Sequence, residues 1–352
     1  MIPARQAVIR LGLEALHLSG VHRLLGGVLG GIGAILTLHH VRPAGNEPFQ
    51  PNRTLEVTPQ FLEEALLALE RQGVELISLD EMHARLEAGN FKQRFVCLTF
   101  DDGYRDNQEW AYPILRRHNA PFAIYVPTSF PDQRGHLWWE TLETVIASSD
   151  YVEVVLDDRL RRFACRTTAE KYSALAAIHR YLRALPSEEL LHATVAKLAV
   201  RAGHDPSAHC SELCMSWQEL AELAADPLIT IGAHTVHHRR LGRLGGLEAR
   251  NEMAESATRI EAMLGMRPAH IAYPFGDRTA AGPREFAIAR ELGFKTAVTT
   301  RPGVLFPEHR DHLTALPRIT LNGDVQRVRH LDVLISGAAT ALWNGFRRVN
   351  AA

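Results

Sequence analysis

Short runs of consecutive apolar residues alternate along this chain with longer stretches in which apolar positions recur every three or four residues. The runs GAILTLHHV, RFVCLTFDDG, PFAIYVPTSF, ITIGAHT, HIAYPFGD and KTAVTT predict buried strands. Between them, TPQFLEEALLALERQG predicts a helix opened by Thr58, with Pro59 at its first position, and closed by Gly73. NQEWAYPILRRHN, SWQELAELAAD with Ser216 as its cap, GLEARNEMAESATRIEAMLG and REFAIARELG predict further helices. Strand and helix in alternation imply an α/β fold with a parallel sheet, and about seven such units favour a closed or nearly closed barrel over an open sheet.

The alternation fails between about residues 131 and 215. There YVEVVLDDRLRRFAC predicts a hairpin turning at Asp157 and Asp158, followed by polar helical sequence as far as Pro206. This stretch reads as a mixed α/β insertion on the barrel, and the expected organisation is an N-terminal helical and apolar segment (1–34), a barrel (35–325) carrying the insertion, and a C-terminal tail (326–352). The run LLGGVLGGIGAILTL, from Leu24 to Leu38, carries five glycines and is too short to span a bilayer, so it predicts a loop followed by a buried strand and no transmembrane span. Arg5 to Leu25 has amphipathic helical spacing, which suits packing on the domain and leaves peripheral membrane contact open.

Composition narrows the partners. With 46% hydrophobic and 22% charged residues the chain is an ordinary globular protein, and a net charge of −1 gives no field to draw a nucleic acid. Cys97, Cys165, Cys210 and Cys214 follow no paired CxxC pattern, which predicts reduced thiols and a cytoplasmic protein, membrane-associated if the N-terminal segment makes contact. The oligomeric state is not readable.

In each motif the polar residues follow the apolar run, at the carboxyl end of a strand, where parallel α/β folds assemble their sites. Asp101 and Asp102 end one such run. His234 ends another, with His238 four residues on, a spacing that lets both imidazoles reach one cation if the chain makes a single helical turn there. Two imidazoles and one carboxylate form a three-ligand set with open positions; the cation would offset the cost of a second carboxylate beside the first, which is then free to accept a proton. Gly103 lets the backbone turn so that both aspartates face the site. The bland readings are a solvated Asp-Gly turn and surface or structural histidines, and His237 reads as a bystander.

These residues resemble the polysaccharide deacetylase family, the NodB-type carbohydrate esterases. The motif TFDDG stands at Thr99 to Gly103, and H-[ST]-x-x-H at His234 to His238. The resemblance implies the family's distorted (β/α) barrel, with Asp101 as catalytic base and Asp102, His234 and His238 as ligands of one divalent metal ion, zinc first, with nickel, cobalt or iron as alternatives. It departs in two places. The family's R-x-P-[FY]-G motif has Ala272 where its arginine belongs, and Arg318, in LPRITL, is the candidate replacement; a plain ion pair is the other reading of that residue. The final L-x-H motif is missing near the C-terminus, but ILTLHH at 35–40 matches it at the opposite end, as in circularly permuted members, so that His39 becomes the candidate acid on the leaving group, with His40 competing for the role.

Near Tyr104 a backbone N–H is expected to hold the oxyanion, and Pro274, Phe275 and Gly276 to form a groove wall. Trp138 and Trp139 suit either a sugar ring or the core. The activity implied is metal-dependent removal of N-acetyl groups from a carbohydrate of the N-acetylglucosamine type. The alternatives are deformylation or amide hydrolysis on a lipid-linked sugar or small cyclic amide, or a non-catalytic carbohydrate-binding relative.

Overall fold

Residues of alternating parity along the barrel strands go to two different cores. The computed structural model describes residues 4–156 and 159–351. Its strands are β1 (Gly33–Leu38), β2 (His40–Val41), β3 (Glu56–Val57), β4 (Glu75–Leu76), β5 (Phe95–Asp101), β6 (Phe122–Val126), β7 (Tyr151–Leu156), β8 (Arg159–Ala164), β9 (Ile229–Ala233), β10 (His270–Ala272), β11 (Thr296–Pro302) and β12 (Leu316–Thr320). The order β1-β12-β11-β10-β9-β6-β5 closes because β1 also pairs with β5, every pairing being parallel, and β4 adds to the outside of β5. This is the seven-stranded barrel that the alternation predicts. The first strand sits between the last and β5, which brings the two ends of the chain's barrel together.

Ile35, Phe95, Cys97, Ala123, Tyr125, Ala272, Val298 and Leu316 fill the lumen, while Leu36, Leu38, Val96, Leu98, Phe100, Ile124 and Ile231 pack outward under the helices. Strands buried on both faces need apolar residues at both parities, so these read as continuous runs. Thr58 and Ser216 cap their helices through hydrogen bonds from Phe61 and Glu219 N–H groups, as the sequence implies. All four cysteines are buried free thiols.

The insertion has its own small core. Helices Trp138–Ser148, Thr168–Ala184 and Glu188–Arg201 enclose Leu142, Ile146, Val152, Ile178, Leu182 and Val195. The hairpin β7–β8 is antiparallel, as expected; its turn at Asp157 and Asp158 lies outside the described residues.

At the N-terminus one expectation is overturned. Residues 24–29, expected as loop, belong to a helix, Val21–Leu29, that follows helix Ala4–Leu18 after a break at Gly20, where φ is 70°. Glycine in a helix costs about 1 kcal/mol relative to alanine, and packing against the C-terminal helices outweighs it: the Gly26 position sits against Ser336. Helices Val328–Ile335 and Ala338–Trp343 close the structure against these two. No helix of the described residues is long and apolar enough to cross a membrane.

Candidate active site

Barrel parity decides which side chains reach the site. Phe95, Cys97, Thr99 and Asp101 share the inward face of β5, and Arg318 follows Leu316 on the inward face of β12. Fully buried in the lumen, the Arg318 guanidinium donates to both Asp101 carboxylate oxygens at 2.7 Å, and also to Thr99 Oγ1 and the Thr299 carbonyl. Burial acts to raise the Asp101 carboxyl, but the charge of Arg318, with His234 and His39, overrides it and holds the group below the usual carboxylate range. The guanidinium on Asp101 thus comes from β12, while Ala272, on β10, offers none.

Asp102 leaves the strand in the left-handed region, with φ 73°, and Gly103 follows at 65°. The turn that separates the two carboxylates thus begins at the aspartate itself, one residue earlier than the glycine; Asp is among the few L-residues that accept this conformation. Its Oδ1 lies 3.7 Å from His234 Nε2 and 3.3 Å from His238 Nε2. Burial, then the charge of Asp101, push the Asp102 carboxyl well above its ordinary range, and a hydrogen bond from Tyr104 works the other way.

His234 is fixed by backbone. Its Nδ1 lies 2.7 Å from the Ala272 carbonyl, which can only accept, so Nδ1 carries the proton and the Nε2 lone pair faces Asp102. The residue that lacks the expected side chain supplies a carbonyl instead. His238 arrives by a loop and not by the helical turn that its spacing suggested: Thr235 and His238 are both left-handed, with φ 64° and 55°, and the His238 N–H donates to Thr235 Oγ1. Glu252, from helix Gly246–Leu264, accepts from the Val236 and His237 N–H groups and lies 2.6 Å from His237 Nδ1. His237 is thereby held by Glu252 and lies outside the cluster of Asp102, His234 and His238. Burial, then the neighbouring His234, lower the His238 imidazole well below its ordinary value.

Three ligand atoms, from Asp102, His234 and His238, lie within 4.8 Å of one another. Asp102 Oδ1 is buried and has no protein hydrogen-bond partner. A buried carboxylate oxygen facing an imidazole lone pair is costly without a positive charge between them, and this donor set suits a divalent cation of the zinc type. The residues present fit such an ion.

His39 and His40 separate by parity. Ile35 faces the lumen and Leu36 and Leu38 face out, so residue 39 continues toward the site and residue 40 away from it. His39 feels the charges of Asp101, Arg318 and His234; burial lowers it to about 4, against the pull of Asp101. The carbonyl of His39 accepts from Asn107 Nδ2 at 2.7 Å, which anchors the strand end. His40 is engaged elsewhere: its Nδ1 is 2.6 Å from Asp106 Oδ2, and its ring stacks on Tyr104 at 3.6 Å between centroids.

The Tyr104 ring is itself fully buried, its hydroxyl accepting from Trp139 Nε1, so its side chain supports Asp102. Phe275, Trp139 and Phe130 surround the His238 ring at 5.1, 5.5 and 6.0 Å. Phe275 is left-handed at φ 60° and is flanked by Arg183 and Arg240, while a side chain at Gly276 would strike Thr300 N at 2.5 Å. Pro274 is buried behind them. Of the two tryptophans, Trp138 belongs to the insertion core and Trp139 reaches the site. Sequence reasoning missed Phe130, Glu252 and the Ala272 carbonyl; only Phe130, at the end of a predicted strand, left any signal.

No curated protein matches this sequence. Among solved structures, the chain is similar to the deacetylase PplD of Streptococcus pyogenes, solved in complex with acetate (19% identity, TM-score 0.57, covering 86% of this chain and 97% of that one). It is similar also to IcaB from Ammonifex degensii (17% identity, TM-score 0.52, 86% and 97%) and to a polysaccharide deacetylase from Bacillus cereus (16%, 0.53, 86% and 68%). At these identities the likeness shows the fold. The polysaccharide deacetylase family model matches residues 88–162 and 170–297, more than half of the chain, including Asp101, Asp102, His234 and His238 but neither His39 nor Arg318. With that match added to the barrel, the chain belongs to the polysaccharide deacetylase family, hydrolases that cleave an amide bond.

Proposed function

We propose that this protein removes acetyl groups from the N-acetylated sugars of a polysaccharide of the N-acetylglucosamine type, with one divalent cation, zinc first, at Asp102, His234 and His238. The observation that carries the reading is the pairing of two unlike carboxylates: Asp101 kept ionised by Arg318, and Asp102, beside it, facing two imidazoles. The cation would supply a Lewis acid that polarises the acetamide carbonyl and makes water more acidic.

The remaining work falls to the chain. Asp101, its two oxygens aligned by Arg318, takes the proton of the attacking water. A backbone N–H near Tyr104 meets the oxyanion. His39, lowered to about 4 and so neutral at rest, passes on to the departing amine the proton that Asp101 has taken from the water. Phe275, Trp139 and Phe130 offer apolar faces to a sugar ring, and Pro274 and Gly276 support that wall. An arginine missing at Ala272 would favour a non-catalytic relative; the Arg318 guanidinium on both Asp101 oxygens speaks for the enzyme.

The test is acetate release by purified, metal-loaded protein from chitooligosaccharides and poly-N-acetylglucosamine, beside a panel of formyl and cyclic amides. Acetate from the glycans alone supports the reading. Turnover confined to formyl or cyclic amides overturns the substrate, and sugar binding without turnover of any amide overturns the enzyme.

A further inference from the structure

The first N-terminal helix is apolar on both sides, and the second buries His22 and turns its apolar residues outward. Ile9, Leu13 and Leu16 pack against the core, while Val8, Leu11 and Leu18 on the other side of the same helix are 67, 70 and 82% exposed. In the next helix Val21, Leu24, Leu25 and Val28 stand outward at spacings of three, one and three, with Leu24 at 82%. Helix Ala338–Trp343 packs against both and adds Leu342 and Trp343, with Phe346 just beyond it. Ten of the twenty exposed large apolar side chains among the described residues therefore sit on two short segments that meet in space. Single exposed leucines need no explanation, but a contiguous patch marks an interaction surface.

Charge says what the surface meets. Residues 4–29 and 338–351 contain Arg5, Arg10, Arg23, Arg347 and Arg348 and a single carboxylate, Glu14. Glu14 is turned to Arg327, Arg329 and His330, at 3.0, 2.8 and 2.9 Å. Arg23 and Arg347 are exposed beside the leucines, and Arg348 reaches Glu308 at the rim. We propose that this face docks on the surface of an anionic lipid bilayer, with the exposed leucines, valines, Trp343 and Phe346 entering the headgroup boundary and the arginines meeting lipid phosphates. A second copy of the chain fits less well, since a two-fold contact through this face would set arginines against arginines. The proposal is independent of the substrate assigned above.

Flotation of the full chain with vesicles of phosphatidylcholine, or of phosphatidylcholine mixed with phosphatidylglycerol, tests it. The expected result is binding to the mixed vesicles that weakens with salt, and a double variant Leu18→Glu, Leu24→Glu that partitions about tenfold less or worse with an unchanged melting temperature. Arg23→Gln with Arg347→Gln, which touches no packed side chain of the core, should lose the preference for phosphatidylglycerol. Wild-type partitioning by the glutamate variant overturns the proposal. So does absence of binding to both vesicles together with a dimer, seen by sedimentation, that the glutamate variant breaks.

Discussion

Arg318 grips both oxygens of Asp101 from a strand two places round the barrel, with β1 between them. A buried carboxylate deprived of its counter-charge is costly, so Arg318→Met should lower stability by about 3–5 kcal/mol. Arg318→Lys keeps the charge and loses the fork that fixes the carboxylate plane. It should unfold closer to wild type yet lower kcat by roughly 10²-fold. Urea denaturation and initial rates on the two variants separate the contributions, and wild-type turnover in Arg318→Lys would show that the pair is structural only.

Metal content gives an independent check on the ligand set. His234→Ala and His238→Ala should each lose the ion in elemental analysis, whereas His237→Ala should keep it, because His237 is held by Glu252. Full occupancy in both of the first two variants would remove the assignment of Asp102, His234 and His238.

Much of this site was legible because strands have a period of two. The inward residues at the ends of β5, β9 and β1 are Asp101, His234 and His39, and each closes a run whose apolar pattern is visible in the sequence. The same count places Arg318 inward on β12. What local pattern does not carry is how a loop returns. His238 reaches Asp102 through two left-handed residues and a Glu252 carboxylate fifteen residues downstream of His237, and the pin on His234 is a backbone carbonyl that any residue at 272 would offer. The helix at Val21–Leu29 was hidden for a related reason: its glycines argue for loop, and only packing against Ser336 and its neighbours, some three hundred residues away, argues for helix.

His39 and His40 are adjacent and should fail differently. His39→Ala should reduce kcat by roughly 10² to 10⁴ with metal content and melting temperature retained, the range for losing one positioned proton donor. His40→Ala removes the partner of Asp106 and the ring stacked on Tyr104. It should cost about 1–3 kcal/mol through Asp106 Oδ2, left without its partner while Oδ1 still accepts from the Val41 N–H. Unchanged turnover per folded molecule in His39→Ala would exclude it as the acid.

Glu143, in the insertion helix Trp138–Ser148, makes stability depend on pH in the direction opposite to a paired carboxylate. Burial raises its carboxyl to about 7; the Asn52 N–H, 3.0 Å from Oε2, works to lower it, while Glu140 and Glu56 raise it further. Its unfolded value is the ordinary 4.5, so between those two pH values the folded chain holds the proton that the unfolded chain has released. Stability from this group therefore falls as pH rises through that window, and the full penalty is present above it. Glu143→Gln carries no charge at any pH and can still accept from Asn52. At about pH 8 the variant should be more stable than wild type by on the order of 1–2 kcal/mol, less than the whole shift implies because the carboxyl is partly open to solvent. The gain should shrink steadily on acidification and vanish well below the unfolded value of 4.5, where both forms are neutral in both states. Urea denaturation of the two proteins across this range provides the measurement; a gain that is constant with pH would mean that the substitution acts through packing and that Glu143 titrates like an exposed glutamate.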